Sequence, residues 1–196
     1  MKWGIEEQIA QLERAVRACK QAISIAKHHG FYREKAQFHH QLGIIYSERL
    51  SDPKMKSIWA AFSANSFEEA LSFFTKDDHL LEYVAICNDY GHAIMNYPEL
   101  KLNSNLDKAS YYFYEALALL PVDEHSEARS RTLLNIIEAN LVAKNVDPSE
   151  DEQRLRKMKE FAEEVLEITT SNQLTMLASD YLTTIDELMK KCTKSH

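Results

Sequence analysis

The chain has 196 residues, a net charge of −7, and only four glycines and four prolines. Average proteins contain about 12% glycine plus proline, so this shortage excludes the turn-rich sandwiches, barrels and Rossmann folds. An acidic chain also lacks the positive surface that phosphate backbones require, so we expect no nucleic-acid partner. A hydrophobic content of 45% and a charged content of 27% are ordinary for a folded domain with a core.

The cysteines and the hydropathy pattern predict a cytoplasmic protein. Cys19, Cys87 and Cys192 are odd in number and far apart, which fits neither a disulfide framework nor a zinc-binding pattern. The longest run without charge, residues 168–179, is too short to span a bilayer, so we expect no membrane partner. The acidic residues near the N-terminus interrupt any signal-peptide core.

Apolar residues recur every three or four positions along almost the whole chain, which is the helical period. The helix-breaking residues Gly30, Pro53, Pro98, Pro121 and Pro148 fall between these apolar stripes. The sequence therefore predicts eight helices, at residues 4–29, 31–50, 55–76, 78–97, 103–120, 124–144, 150–170 and 172–192.

The predicted helices carry an internal repeat. The triplet Glu69 to Leu71 recurs as Glu115 to Leu117, and Gly43 recurs as Gly91. These recurrences define a period of about 48 residues, and a fixed period in this range is typical of repeat arrays, in which each hairpin buries its apolar face against its neighbours. Glycine inside a helix costs about 1 kcal/mol relative to alanine. We therefore expect another helix to come close to Gly43 and to Gly91.

The residues of the fifth helix resemble the second helix of a tetratricopeptide repeat (TPR). Ala109, Phe113, Ala116 and Pro121 fall at the small, aromatic, small and proline positions of that motif. The segment Leu42 to Tyr46 is similar to the motif's first helix. Because the period is clearly longer than the standard TPR period of about 34 residues, the chain resembles the long-period repeats that accompany CHAT caspase-like peptidase domains.

This resemblance implies an all-α fold in which antiparallel helix hairpins stack into a right-handed superhelix, a TPR-like α-solenoid. Residues 1–196 would form a single domain of about eight helices, with 172–192 as a capping helix. An alternative is that the chain is one segment of a longer array.

The resemblance also implies a concave surface, lined by the first helix of each hairpin, that binds a protein or peptide. The chaperone-type members of the family grip a C-terminal carboxylate with lysine and arginine at the groove positions. Those basic residues are missing here, so we expect no carboxylate clamp. The family's groove positions fall on Gln37, His40, Ile44, Ser47, Asn88, His92, Met95, Thr132, Asn135 and Ala139.

No constellation in the sequence predicts catalysis, a metal or a cofactor. The adjacent pairs His28-His29 and His39-His40 each offer one ligand to any one site, because neighbouring residues on a helix point about 100° apart. Cys87 lies in an apolar stripe, which indicates a buried thiol and not a nucleophile. The isolated glycines form no phosphate-binding loop. We therefore expect a protein that is not an enzyme.

Tyr111, Tyr112, Phe113 and Tyr114 form the densest aromatic cluster. Four consecutive residues of a helix cannot share one face, so we expect Phe113 in the core and Tyr111 or Tyr114 partly exposed. The sequence as a whole favours an interaction scaffold or adaptor. Two alternatives stay open: a peptide-sensing regulator whose superhelix changes shape on binding, and self-association into a homo-oligomer through a terminal helix.

Overall fold

The computed structural model describes residues 2–51, 54–98, 104–142 and 148–192. Within these ranges all regular structure is helical and no strand occurs, which confirms the predicted all-α class and the eight helices. The α-helices are α1 Lys2–His29, α2 Tyr32–Ser47, α3 Lys56–Leu71, α4 Leu80–Met95, α5 Ser104–Ala118, α6 Ser126–Val142, α7 Pro148–Ile168 and α8 Asn172–Cys192, and a 3₁₀ turn occupies Glu48–Ser51.

Local chemistry sets the helix ends. α1 stops where Gly30 adopts a φ of +74°, a left-handed conformation that glycine takes without strain. α3 ends at Leu71, five residues before the predicted boundary. The Thr75 hydroxyl accepts a hydrogen bond from the Asp78 amide at 3.3 Å and donates one to the Asp78 carboxylate. Threonine and aspartate side chains stabilise turns in this way, so the chain turns there instead of continuing the helix.

The chain forms two compact units, Met1–Asn105 and Leu106–His196. In the first unit α2 packs against α1, α3 and α4, and α3 packs against α4. In the second unit α7 packs against α6 and α8, and α6 also packs against α8. A single continuous array over residues 1–196 stays a prediction.

Helices α2 and α3 form a hairpin. Lys35 near the start of α2 lies 3.5 Å from Glu69 near the end of α3. The ring of Tyr46, at the end of α2, stacks on Trp59 near the start of α3, with centroids 5.8 Å apart. Residue numbers thus rise along one helix as they fall along the other, so the two helices run in opposite directions.

The closest approach within this hairpin is at Gly43. A Cβ atom added there would lie 2.8 Å from the ring of Phe67 on α3. The buried Ser63 hydroxyl, also on α3, donates a hydrogen bond of 2.7 Å to the Gly43 carbonyl. The expectation that a neighbouring helix approaches Gly43 is therefore confirmed. Gly91 is buried within α4.

Helices α6 and α7 form the corresponding hairpin in the second unit. The Arg129 guanidinium on α6 pairs with Glu164 on α7, and Arg154 on α7 donates to the Asn140 carbonyl near the end of α6. These contacts again join the start of one helix to the end of the other, so α6 and α7 run in opposite directions.

Helices α6 and α8 lie side by side and run the same way. The Glu127 carboxylate at the start of α6 accepts a hydrogen bond of 2.9 Å from the Thr169 hydroxyl, three residues before α8 begins. Further along, burial and the negative charge of Glu138 on α6 raise the pKa of Tyr181 on α8 to about 12.

The residues of α5 that resemble the TPR motif are buried. Ala109, Phe113 and Ala116 are each fully buried, as the motif predicts. The neighbouring Tyr111 and Tyr114 are 63% and 44% exposed, which confirms the predicted division of the aromatic cluster.

Candidate functional site

The predicted binding residues of the first unit lie on α2 and α4, which are neighbours. The Arg33 guanidinium donates to the Glu82 carboxylate, and Nε2 of His40 lies 2.7 Å from Oδ2 of Asp89. Each pair joins residues 49 positions apart. The two helices therefore run in the same direction, in a register that matches the period of the sequence repeat.

The hairpin partner α3 supports both helices from one side. Phe67 on α3 is fully buried and stacks on Tyr90 of α4, with ring centroids 5.0 Å apart. The Tyr90 hydroxyl donates a hydrogen bond of 3.1 Å to the Glu68 carboxylate. Because Phe67 also contacts Gly43 on α2, one aromatic ring of α3 fixes the spacing of α2 and α4.

On the side away from α3, α2 and α4 expose two stripes of side chains at helical spacing. We call this surface the α2–α4 face, and its members are Gln37, Gln41, Ala85, Asp89 and His92, all exposed. The amides and the imidazole can hydrogen-bond to a peptide backbone, and Ala85 leaves room for it.

The four predicted residues on α2 differ in their accessibility. Gln37 is exposed, whereas His40, Ile44 and Ser47 are half-buried. The Ser47 hydroxyl donates to the Ile44 carbonyl at 2.7 Å, so it satisfies its own helix. Gln37 thus presents the most accessible polar group of the four, and His40 contributes to the helix pairing through Asp89.

The three predicted residues on α4 divide in the same way. His92 is exposed and Met95 is half-buried. Asn88 is only 9% exposed, and its side-chain amide donates to the Val84 carbonyl at 3.1 Å. His92 is therefore the most accessible of the three to a partner.

The three predicted residues on α6 belong to the second unit. Thr132 and Ala139 are buried, at 0% and 2% exposure, and Asn135 is half-buried. The Thr132 hydroxyl donates to the Ala128 carbonyl at 2.9 Å. The side chains of Thr132 and Ala139 are thus enclosed within the described structure. Whether any of the ten predicted residues contacts a partner stays a prediction.

The sequence analysis did not identify the side-chain pairs that join α2 to α4. Arg33, Glu82 and Asp89 were not among the candidates, although Asp89 lies on the α2–α4 face. A signal for the first pair exists in the sequence, because Arg33 and Glu82 carry opposite charges and are separated by nearly the repeat spacing.

No helix in the described part of the chain is both long enough and apolar enough to cross a membrane. Among the same residues, no group of three or more His, Cys, Asp or Glu side chains is placed to hold a metal ion. Comparisons of the chain with protein-family models, with curated proteins and with solved structures found no match.

Proposed function

We propose that the chain is an interaction scaffold, a TPR-like helical array that binds a segment of a partner protein along the α2–α4 face. The observation that carries this proposal is the pairing of α2 and α4 in the same direction, at a register of 49 positions. In a stack of hairpins, the first helices of successive hairpins lie side by side in this way and form a continuous surface.

The close approach at Gly43 also supports the proposal. Glycine lowers the stability of a helix, but at position 43 of α2 its lack of a side chain allows α3 to approach closely. The second unit offers a parallel pairing of its own, between α6 and α8. Both observations are those expected of hairpins that repeat along a chain.

The α2–α4 face suits an extended segment more than a small molecule. Its exposed groups are two amides, an imidazole, a carboxylate and a methyl group, spread along two helices. Hydrogen bonds from such side chains to a peptide backbone hold an extended chain without requiring a deep pocket.

Selection of peptides from a random dodecapeptide library tests the proposal. We expect selected peptides to bind the intact protein, and we expect the combined substitution Gln37→Arg and His92→Glu to weaken binding by at least about tenfold. The matched control is Lys108→Glu, an exposed change on α5 in the second unit. Scattering from the complex then separates a rigid scaffold from a regulator that becomes more compact.

Two results would overturn the proposal. One is a selection that yields no peptide above background. The other is a set of peptides that bind the Gln37→Arg, His92→Glu protein as tightly as the unmodified protein while circular dichroism shows that both are equally folded.

A further inference from the structure

A second surface of the first unit, on a different side of α2, contains a cleft. Its floor is α2, with Leu42 and Tyr46, and its walls are α1, with Ile23, and α3, with Phe62. We call it the α1–α3 cleft; its volume is about 240 Å³. Pockets that hold whole small molecules usually begin at about 300 Å³. The α1–α3 cleft is smaller than that, so it suits one bulky apolar side chain.

The apolar character of the cleft extends along the α3 wall. Residues 57–67 of α3 contain no charged side chain. Two large apolar residues of this stretch are exposed, Ile58 at 45% and Phe62 at 47%. Removing exposed apolar side chains from water favours binding, so this strip can add to the affinity of a partner that enters the cleft.

The α1 wall has the opposite character. Residues 14–29 contain four basic side chains and no acidic one, although the whole chain carries a net charge of −7. Arg17, Lys20 and Lys27 are all exposed and follow one another at spacings of three and seven positions, so they share one side of α1. Arg17 also lies 4.0 Å from the Glu13 carboxylate, so Lys20 and Lys27 carry the basic character of this side. Lys20 itself lines the α1–α3 cleft. The cleft therefore has one basic and one uncharged wall.

The lining of this cleft includes a buried polar atom. His39 lines both the α1–α3 cleft and an adjoining cavity of about 140 Å³ bordered by Lys35 and Glu69. Nδ1 of His39 is buried and has no hydrogen-bond partner within the described structure. Burial, as the largest cause, lowers the pKa of His39, so the ring is neutral at pH 7 and can donate or accept one further hydrogen bond.

We propose that the α1–α3 cleft binds an acidic peptide segment of a partner protein. The segment inserts one bulky apolar side chain between Ile23 and Phe62, and its carboxylates lie along Lys20 and Lys27. Charge complementarity selects this occupant, because a basic wall in an acidic protein repels basic segments and attracts acidic ones. This site is separate from the α2–α4 face and does not depend on the function proposed for that face.

Fluorescence anisotropy with defined peptides tests the proposal. The probe is a fluorescein-labelled dodecapeptide of glutamate and serine with one central tryptophan. Two control peptides replace the tryptophan with serine or every glutamate with lysine. We expect only the acidic tryptophan peptide to bind, with an affinity that falls as salt concentration rises.

Protein variants locate the binding. The double substitution Lys20→Glu, Lys27→Glu is expected to weaken binding of the acidic tryptophan peptide by at least about tenfold. Asn65→Trp places a bulky side chain at an exposed position of the cleft, and we expect it to prevent binding of this peptide. The control Lys108→Glu makes one similar charge change on α5. The Gln37→Arg, His92→Glu protein should bind normally, which separates this site from the α2–α4 face.

Three results would overturn the proposal. The first is no anisotropy change up to millimolar protein. The second is equal binding of the tryptophan and serine peptides, which would show charge attraction without insertion. The third is a dimer in sedimentation that Phe62→Ser dissociates, since the occupant of the cleft would then be a second copy of the chain.

Discussion

Replacing Gly43 with alanine tests the helix packing of the first unit through the sign of the stability change. In an unobstructed helix, Gly→Ala stabilises a protein by about 1 kcal/mol. Here the new Cβ would lie 2.8 Å from Phe67 ring atoms, whereas ordinary contacts begin at 3.4 Å. To restore an ordinary contact distance, α2 and α3 must move apart by roughly half an ångström beside residue 43.

Phe67 has little freedom to give way, because it is fully buried and stacks on Tyr90. Overpacking of a tight core costs about 1–3 kcal/mol. After subtracting the helix-propensity gain, we expect Gly43→Ala to lower the free energy of unfolding by roughly 1 kcal/mol. Urea denaturation followed by tryptophan fluorescence measures this free energy of unfolding, since both tryptophans, Trp3 and Trp59, belong to the first unit.

The same substitution in a Phe67→Leu background is the control. A smaller side chain relieves the contact, so Gly43→Ala should there be neutral or stabilising, and the double-mutant cycle should give a coupling of about 1 kcal/mol or more. If Gly43→Ala raised the urea midpoint in the unmodified protein, the close approach of α3 to α2 would be refuted.

Three further substitutions have defined outcomes. Hydrogen bonds, chiefly from Thr169, lower the pKa of Glu127 in the folded protein. The ionised carboxylate therefore stabilises the fold above pH 4.5, and this stabilisation is lost as pH falls through the folded pKa. Melting temperatures should thus fall less between pH 7 and 3.5 in Glu127→Gln than in the unmodified protein. Burial lowers the pKa of His39, so the unfolded chain takes up a proton first as pH falls below 6.5; His39→Gln should flatten the decline in stability between pH 7 and 5. Phe113→Ala should cost about 3–5 kcal/mol in denaturation followed by circular dichroism, and a loss below about 1 kcal/mol would contradict its place in the core.

Much of the fold followed from the sequence because helical periodicity and sparse helix breakers are local signals. α1 and α8 lie where Gly30 and the final apolar stripe predict them. The end of α3 was predicted too late, because the turn formed by Thr75 and Asp78 depends on side-chain hydrogen bonds that apolar periodicity does not reveal.

The candidate site could be predicted only in part. Gln37 and His92 are exposed, but Asn88, Thr132 and Ala139 are buried. The groove positions of the standard TPR motif were transferred to helices that repeat at a longer period. A residue's place around a helix changes by about 100° per position, so a small error in alignment moves a side chain from the surface to the core.

The α1–α3 cleft was not predicted, because it depends on the distance between two helices that are far apart in the sequence. The difference in charge between its two walls is nevertheless visible in the sequence. Residues 14–29 are basic without acids, and residues 57–67 are uncharged. Such a contrast between two segments becomes informative only once the fold places them on opposite walls.

The ion pair between Arg33 on α2 and Glu82 on α4 makes the contact between these helices responsive to ionic strength. Arg33 and Glu82 carry opposite charges and are at least partly open to water, so dissolved ions weaken their attraction. The stacking of Phe67 on Tyr90 is buried and is insensitive to moderate salt. A rise in salt concentration therefore weakens the contact between α2 and α4 at the surface, while the buried stacking of Phe67 on Tyr90 persists. The spacing of the exposed side chains on the two helices can then change without unfolding of the unit.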